Sequence, residues 1–455
     1  MKRFDSIVIG AGQAGPSLAV RLAEAGQTVA IVERKLLGGT CVNTGCTPTK
    51  TLIASAKAAH QARRAGEYGV DLSGPIGFDV ARAKARAKAV SATSREGLAA
   101  WLRGTARLTV REGHARFESP TTIAVGGDVL SAERIFVNVG ARARIPSLRG
   151  VADVPYLTHS SLLELETLPR HLVVVGGGPL GLEFAQMYRR FGSEVTIVEA
   201  GARLLAREDE DVSAAVTSIL EAEGIHVRTG VECLALERAG DGDGDDVKVA
   251  PGVSGSHVLL ATGRQPNTDD LGLERAGVEL DARGYVVVDD QLRTSTPGIW
   301  ALGEVNGRGA FTHTAYNDYE IVAANLLDGE PRKVTDRIDA YAIYIDPPLA
   351  RVGMSETAAR ASGKRYLVAH RPMTRVMRAV EKGEPQGFMK AVVDAETQEI
   401  AGATILGVDG DEAIHGLLYA MYARATAKTL THAVGIHPTV SELLPTLLGD
   451  LRPLG

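Results

Sequence analysis

Cysteine is nearly absent from this chain: there are three in 455 residues, two of them at positions 41 and 46. That scarcity excludes an extracellular framework stapled by disulfides and points to a reducing compartment, the cytoplasm. Net charge is also small, at −5 with a pI near 6.2, which excludes a basic surface for nucleic acid or for an anionic membrane. No apolar run reaches the length of a membrane-spanning helix. The N-terminus, Met1 to Gly10, passes straight into a strand and a glycine turn, so it does not read as a signal peptide. What is plentiful is glycine, 51 residues of it, in a chain long enough for three or four domains.

Two of the cysteines lie in Gly38-Gly39-Thr40-Cys41-Val42-Asn43-Thr44-Gly45-Cys46-Thr47-Pro48-Thr49-Lys50. In an undistorted helix, residues five apart are too distant for a disulfide, which wants Cα atoms within roughly 7 Å. Gly45 and the polar Asn43-Thr44 pair can supply a distorted turn that brings the sulfurs together. A bridge closed that way is strained, and strained bridges are easily reduced. The stretch therefore reads as a redox-active pair. The alternatives are two free thiols in a helix or half of a zinc site, but no second cysteine pair exists. Cys233 stands alone and reads as a small buried hydrophobe.

A pattern occurs twice around this stretch. Phe4 to Ile9 is an apolar strand that meets Gly10-Ala11-Gly12-Gln13-Ala14-Gly15, then a helix closed by Gly26, a strand and Glu33. His171 to Val175 leads likewise into Gly176-Gly177-Gly178-Pro179-Leu180-Gly181, a helix closed by Gly192, a strand and Glu199. First glycine and acidic residue are 23 positions apart in both copies. Two G-x-G-x-x-G turns with matched spacing, each between strand and helix, are dinucleotide fingerprints. The glycines let the backbone approach a pyrophosphate, the helix N-terminus offers N–H donors, and the carboxylate binds ribose hydroxyls. Each copy ends on an apolar strand running into a glycine, Gly140 in the first and Gly263 in the second. A helical region from about Thr51 to Arg103 is broken between Gly66 and Asp79. Asp241 to Asp246 reads as a hairpin loop; it opens like a calcium loop but lacks that loop's glycine and final glutamate, so no metal site is expected. Pro297 to Glu304 is a further strand ending in Gly303 and Glu304, and the chain from about Lys333 mixes strands and helices as an α+β interface domain.

These residues resemble the class I pyridine nucleotide–disulfide oxidoreductases, the flavoproteins that include glutathione reductase, lipoamide dehydrogenase and mercuric reductase. The resemblance runs from Asp5 to Glu442 and rests most on the Cys41–Lys50 stretch and on His437-Pro438-Thr439-Val440-Ser441-Glu442. Gly303 to Gly307, followed by Asn317-Asp318-Tyr319, is most similar to the mercuric-reductase branch. The resemblance implies an α/β chain with two Rossmann-like domains and a C-terminal α+β dimerisation domain. Residues 1–145 would bind FAD, 146–265 NAD(P), 266–332 would complete the FAD site and 333–455 would form the dimer interface. Gly10, Gly12, Gly15, Glu33, Gly39, Thr40, Gly140, Gly303 and Glu304 would hold FAD, and Gly176, Gly178, Gly181, Glu199 and Gly263 the nicotinamide nucleotide. Cys41 would be the interchange thiol and Cys46 the thiol nearest the flavin, with Lys50 beside the flavin and paired to Glu183. His437, oriented by Glu442, would reach the cysteines of the other subunit, so that activity requires a homodimer.

The chemistry agrees with the resemblance. A dithiol–disulfide pair moves two electrons and couples to a two-electron donor through a flavin. Attack on a disulfide needs a thiolate, and a histidine with pKa near ~6.5 can take that proton and return it to the leaving thiol. The expected activity is FAD-dependent NAD(P)H:disulfide oxidoreduction on a small-molecule disulfide. A reductase of metal ions, mercury or copper, is the second reading, since paired thiolates also ligate soft metals. A flavoprotein redox sensor without turnover is the third, and needs none of Cys41, Cys46, Lys50, His437 and Glu442. Glu199 favours NADH over NADPH because a carboxylate repels a 2′-phosphate, although Arg203 and Arg207 lie just downstream. Two departures stand out: Glu304 where the family has aspartate, and Asn138-Val139-Gly140 where it has Ala-Thr-Gly. Arg371, Arg375 and Arg378 read as a solvated, ion-paired face.

Overall fold

The computed structural model describes residues 1–231, 234–238 and 246–455. Cys233 and most of the Asp241–Asp246 loop lie outside the described residues. The strands flanking that loop, Glu237–Arg238 and Val247–Ala250, pair antiparallel.

Three sheets carry the architecture. The first is parallel, with strands in the order Ile299–Ala301, Arg134–Val137, Ser6–Ile9, Val29–Glu33 and Leu108–Glu112. Ser6–Ile9 and Val29–Val32 are buried throughout, as expected of apolar strands covered on both faces. Its outer strand, Ile299–Ala301, arrives from far along the chain, so the segment after residue 265 supplies an edge strand of this first sheet. The second sheet is also parallel, in the order His226–Arg228, Glu194–Val198, His171–Val175 and His257–Leu260. Between them the chain crosses twice, through short strands Ala141–Ala143 and Arg264–Pro266 that pair antiparallel. The third sheet has six strands, led by Ala340–Ile343 and Leu349–Gly353 and centred on Phe388–Asp394 and Ile400–Leu406; helices Gly410–Tyr422 and Leu443–Gly449 join its core.

The helical region breaks where the sequence placed the break: helix Cys46–Arg63 and helix Val80–Gly104 flank a short turn at Ala65–Tyr68. Leu52 and Ala56 of the first share one buried cluster with Leu182 and Tyr188 beyond the second glycine turn and with Ile343 and Leu406 of the third sheet. The core beneath the cysteines is thus built from three domains. Each fully buried leucine there contributes about 2 kcal/mol, so the helix bearing Cys46 and Lys50 is anchored from below.

Candidate active site

The two glycine turns are built alike. A Cβ on Gly10 would fall 2.3 Å from the Asn138 carbonyl oxygen, and one on Gly176 would fall 2.5 Å from that of Ala261. A Cβ on Gly15 would meet Gly10 O at 2.2 Å, and one on Gly181 would meet Gly176 O at 2.4 Å. Neither pair tolerates a side chain. Each acidic residue closes its own turn: Glu33 accepts N–H bonds from Ala11 at 2.9 Å and Lys35 at 2.8 Å, and Glu199 accepts them from Gly177 and Gly201 at 2.6 Å. The helices that follow, Gly15–Glu24 and Pro179–Phe191, begin without a side-chain cap, leaving their first N–H groups for a phosphate. Gly140 and Gly263 end the returning strands, and Asn267 N and Arg144 N donate to their carbonyls at 3.0 Å. The tight glycine cradles and uncapped helix ends fit FAD in the first site and a nicotinamide nucleotide in the second.

The cysteines sit on either side of a helix break. Helix Gly39–Thr44 carries Cys41; Gly45, at φ −134° and ψ −119°, ends it, and Cys46 opens an 18-residue helix. A Cβ on Gly45 would meet the Thr40 carbonyl at 2.9 Å, so the break needs glycine. The sequence reading shared this turn with Asn43 and Thr44, but Asn43 instead braces the short helix. Its amide donates to Leu37 O and Gly39 O at 2.9 Å and accepts from Arg95 at 3.0 Å. Both sulfurs are free thiols, Cys41 partly buried and Cys46 exposed. Thr312 Oγ1 lies 3.3 Å from Cys46 Sγ. The Cys41 S–H bonded to its sulfur, the Thr312 hydroxyl and the Lys50 ammonium outweigh burial and bring the Cys46 thiol down to about 6. The same S–H···S hydrogen bond, with burial, pushes the Cys41 thiol up. Of the two, Cys46 is the sulfur poised to lose its proton. The N-terminal helix position of Cys46 favours that charge further.

Lys50 and Glu183 meet as the resemblance implied, Nζ to Oε2 at 2.5 Å, and the other carboxylate oxygen accepts Tyr344 N–H at 2.9 Å. His437 Nδ1 lies 3.0 Å from both oxygens of Glu442, which leaves Nε2 directed away; the imidazole is 72% exposed. Among the described residues no hydrogen bond joins it to the cysteines of its own chain. Gly303 N–H and Asn306 donate to Asp318, which is buried and paired with Arg337. Glu304 accepts from Arg264 Nε at 2.5 Å, so a residue expected to hold FAD is also tied to the chain that crosses back from the second sheet. Asn138, the second departure, donates Nδ2–H to Gly10 O at 3.2 Å and lies 3.2 Å from where a Gly303 Cβ would sit. Of the three arginines read as a solvated, ion-paired face, Arg378 pairs with Glu381; Arg371, only 17% exposed, pairs with Asp450; and Arg375 is exposed with no ion pair among the described residues. Thr312 and Tyr344 were not foreseen in the sequence. Among the described residues no group of three or more His, Cys, Asp or Glu side chains is placed to hold a metal ion, and no helix is long and apolar enough to cross a membrane.

Two nucleotide folds converging on a cysteine pair define a class, a flavoprotein that carries electrons from a pyridine nucleotide to a dithiol. The chain belongs to the pyridine nucleotide-disulphide oxidoreductase family: its model matches residues 4–318, and that of the family's dimerisation domain matches residues 340–448. A probable pyridine nucleotide-disulfide oxidoreductase, RclA of Escherichia coli strain K12, is 35% identical over 99% of this chain and its own full length. A dihydrolipoyl dehydrogenase of Thermus scotoductus is 34% identical, over 97% of this chain and 96% of that protein. The solved structure described as a Cu(II) complex of the HOCl-induced flavoprotein disulfide reductase RclA superposes with a TM-score of 0.90 and 35% identity, covering 99% of both chains. The protein is an NAD(P)H-dependent flavoprotein disulfide reductase.

Proposed function

We propose that Cys41 and Cys46 form the dithiol of this reductase, that its substrate is a small-molecule disulfide and that its preferred donor is NADH. The observation that carries the reading is the pair of free thiols set on either side of the Gly45 break, with Cys46 at the start of its helix, Thr312 Oγ1 3.3 Å from its sulfur and Lys50 one turn further on. Bound FAD, held by the first glycine turn, would relay two electrons from the nicotinamide nucleotide to Cys46. His437 of the partner subunit, positioned by Glu442, takes the Cys41 proton. The Cys41 thiolate attacks one sulfur of the external disulfide; that S–S bond breaks, and the leaving thiolate receives the proton from the imidazolium. Cys46 then attacks the Cys41 sulfur of the mixed disulfide, expelling the second substrate sulfur as a thiolate that takes a proton from solvent, and forming the Cys41–Cys46 bond for the next reduction. His437 is exposed and, among the described residues, paired only to Glu442, which suits a group offered across a homodimer interface. Glu199 receives ribose hydroxyls in the second turn, while Arg203 is occupied by the Ala206 and Glu208 carbonyls rather than offered to a 2′-phosphate. The setting we propose is cytoplasmic.

A second reading is favoured by one feature: two free thiols five positions apart, one of them exposed, offer soft donors for a metal ion as substrate, and a related reductase is known as a Cu(II) complex. Anaerobic titration with NADH and NADPH, followed by turnover with disulfides and with Cu²⁺ and Hg²⁺, separates these cases. NADH is expected to reduce the enzyme and to leave a thiolate that titrates near pH 6. Absence of that thiolate in the Cys46→Ser variant assigns it; its persistence would overturn the assignment. Turnover with metal ions and with no disulfide would replace the first reading by the second.

A further inference from the structure

Segment Tyr344–Asp346, just past strand Ala340–Ile343 of the third sheet, is held between the two helices that carry the Lys50–Glu183 pair. On the helix Pro179–Phe191 three residues on one face grip it. Glu183 accepts Tyr344 N–H at 2.9 Å, Gln186 accepts Asp346 N–H at 2.7 Å and donates to Asp346 O at 2.8 Å, and Arg190 Nη1 meets the Asp346 carboxylate at 2.7 Å. On the helix Cys46–Arg63, Lys57 Nζ reaches the same carboxylate at 2.9 Å. Asp346 is held below the usual carboxylate range because the Arg190 and Lys57 charges outweigh its burial. Four side chains from two domains therefore fix three residues of a third. The consequence for Tyr344 is a ring whose backbone cannot drift, with Lys50 Nζ standing 4.7 Å from its centroid.

Lys50 has no other carboxylate within ion-pair reach than Glu183 among the described residues. A single ion pair leaves an ammonium on a four-carbon stem free to swing about its partner. A ring face at 4.7 Å removes that freedom, since a cation is drawn to the negative face of an aromatic ring. We propose that Tyr344 is a positioning residue for the reductive half-reaction: its ring fixes the Lys50 ammonium, and so makes electron entry depend on the third domain being seated. The inference rests on the reading of Lys50 as the cation beside the electron relay to Cys46. It acts through the ring face, not the hydroxyl.

The test uses the FAD-loaded full-length enzyme and follows flavin bleaching by NADH in anaerobic stopped flow, with reoxidation by substrate measured separately. Tyr344→Phe keeps the ring and is expected to reduce within about twofold of the parent, whereas Tyr344→Leu is expected to be about tenfold slower with reoxidation unchanged. A trifluorinated phenylalanine at the same position keeps the shape but empties the ring face of charge. Its rate is expected to fall toward that of the leucine variant, and its flavin midpoint potential to move with it. FAD content and the unfolding temperature should stay at parental values in the fluorinated protein, which a loss of packing would not allow. A fluorinated variant that reduces as fast as Tyr344→Phe would overturn the proposal, as would equal slowing of both half-reactions. If the parent itself is not reduced by NADH or NADPH, the fault lies in the underlying functional reading instead.

Discussion

The two glycine turns share a backbone and a bond from the chain above, but not the cover over their third residue. Over the first, Gly38 N–H bonds to Ala11 O at 2.8 Å, Gln13 Nε2 reaches Gly38 O at 3.1 Å, and a Cβ on Gly39 would lie 2.8 Å from Gly12 Cα. The chain that leads to the cysteines thus closes over that turn. At the second, Leu205 N–H bonds in the same way to Gly177 O at 2.9 Å, but a Cβ on Gly178, the counterpart of Gly12, would have nothing within 4 Å among the described residues. The difference separates two uses of one motif. A covered turn suits a prosthetic group that stays, and an open turn suits a cosubstrate that must bind and leave at each cycle. It also ties the cysteines to the first turn by the chain itself, because Gly39 touches that turn and opens the helix that bears Cys41.

The sharpest way to break the comparison is to fill each turn at its tightest glycine. In Gly15→Val the new Cβ would lie 2.2 Å from Gly10 O and 2.8 Å from Asn138 Nδ2, with no soft neighbour to yield. The cost is about 3 kcal/mol or more, and the protein is expected to emerge without flavin or not to fold. Gly181→Ala meets a comparable obstruction at 2.4 Å, but on the open site. It is expected to keep a full complement of FAD while its KM for NADH rises tenfold or more, about 1.4 kcal/mol. Flavin-to-protein ratio and nucleotide KM together read both outcomes. Equal flavin loss in the two variants would abolish the distinction between resident and exchanging sites.

A smaller effect is expected from the carboxylates. Glu199 holds N–H groups of Gly177 and Gly201 with its two oxygens, the arrangement Glu33 makes in the first copy. Removing it in Glu199→Ala deletes two charge-assisted bonds and the repulsion of a 2′-phosphate at once. NADH should bind about tenfold more weakly, and NADPH less weakened than NADH, so that the ratio of kcat/KM for the two nucleotides narrows. A widened ratio would show that nucleotide choice is made elsewhere.

The sequence revealed the parts of this machine that are local. Both turns, the helix break between the cysteines and the His437–Glu442 pair lie within short windows where glycine, proline and charge speak for themselves. It missed what long-range packing creates. Thr312 reaches Cys46 across 266 positions and Tyr344 reaches Glu183 across 161, with nothing in either neighbourhood to announce the other. The antiparallel strands Ala115–Ser119, Thr122–Val125 and Asp128–Ser131 also went unread, because their runs are short and their burial alternates. Glu304 was legible as a departure from the family, but its bond to Arg264 depends on how the two crossing strands bring Arg264 back beside Gly303.

Asn138 is the finest point of difference between the turns. Where the second copy has Ala261, the first has a buried amide that donates to Gly10 O and stands 2.8 Å from the site of a Gly15 Cβ and 3.2 Å from that of a Gly303 Cβ. It links the glycine turn to the strand end that arrives from the third segment of the chain. Asn138→Ala would make the first turn resemble the second. It removes one hydrogen bond, leaves the Gly10 carbonyl without that donor and opens a small void, for a combined cost of about 1–2 kcal/mol. The expected result is a folded enzyme that still binds FAD but releases it at lower guanidinium concentration than the parent, with NADH binding unaltered. Flavin fluorescence on release gives the midpoint directly. An unchanged midpoint would mean that the roof contributed by residues 38 and 39, rather than the amide beneath, accounts for the whole difference between the covered and the open site.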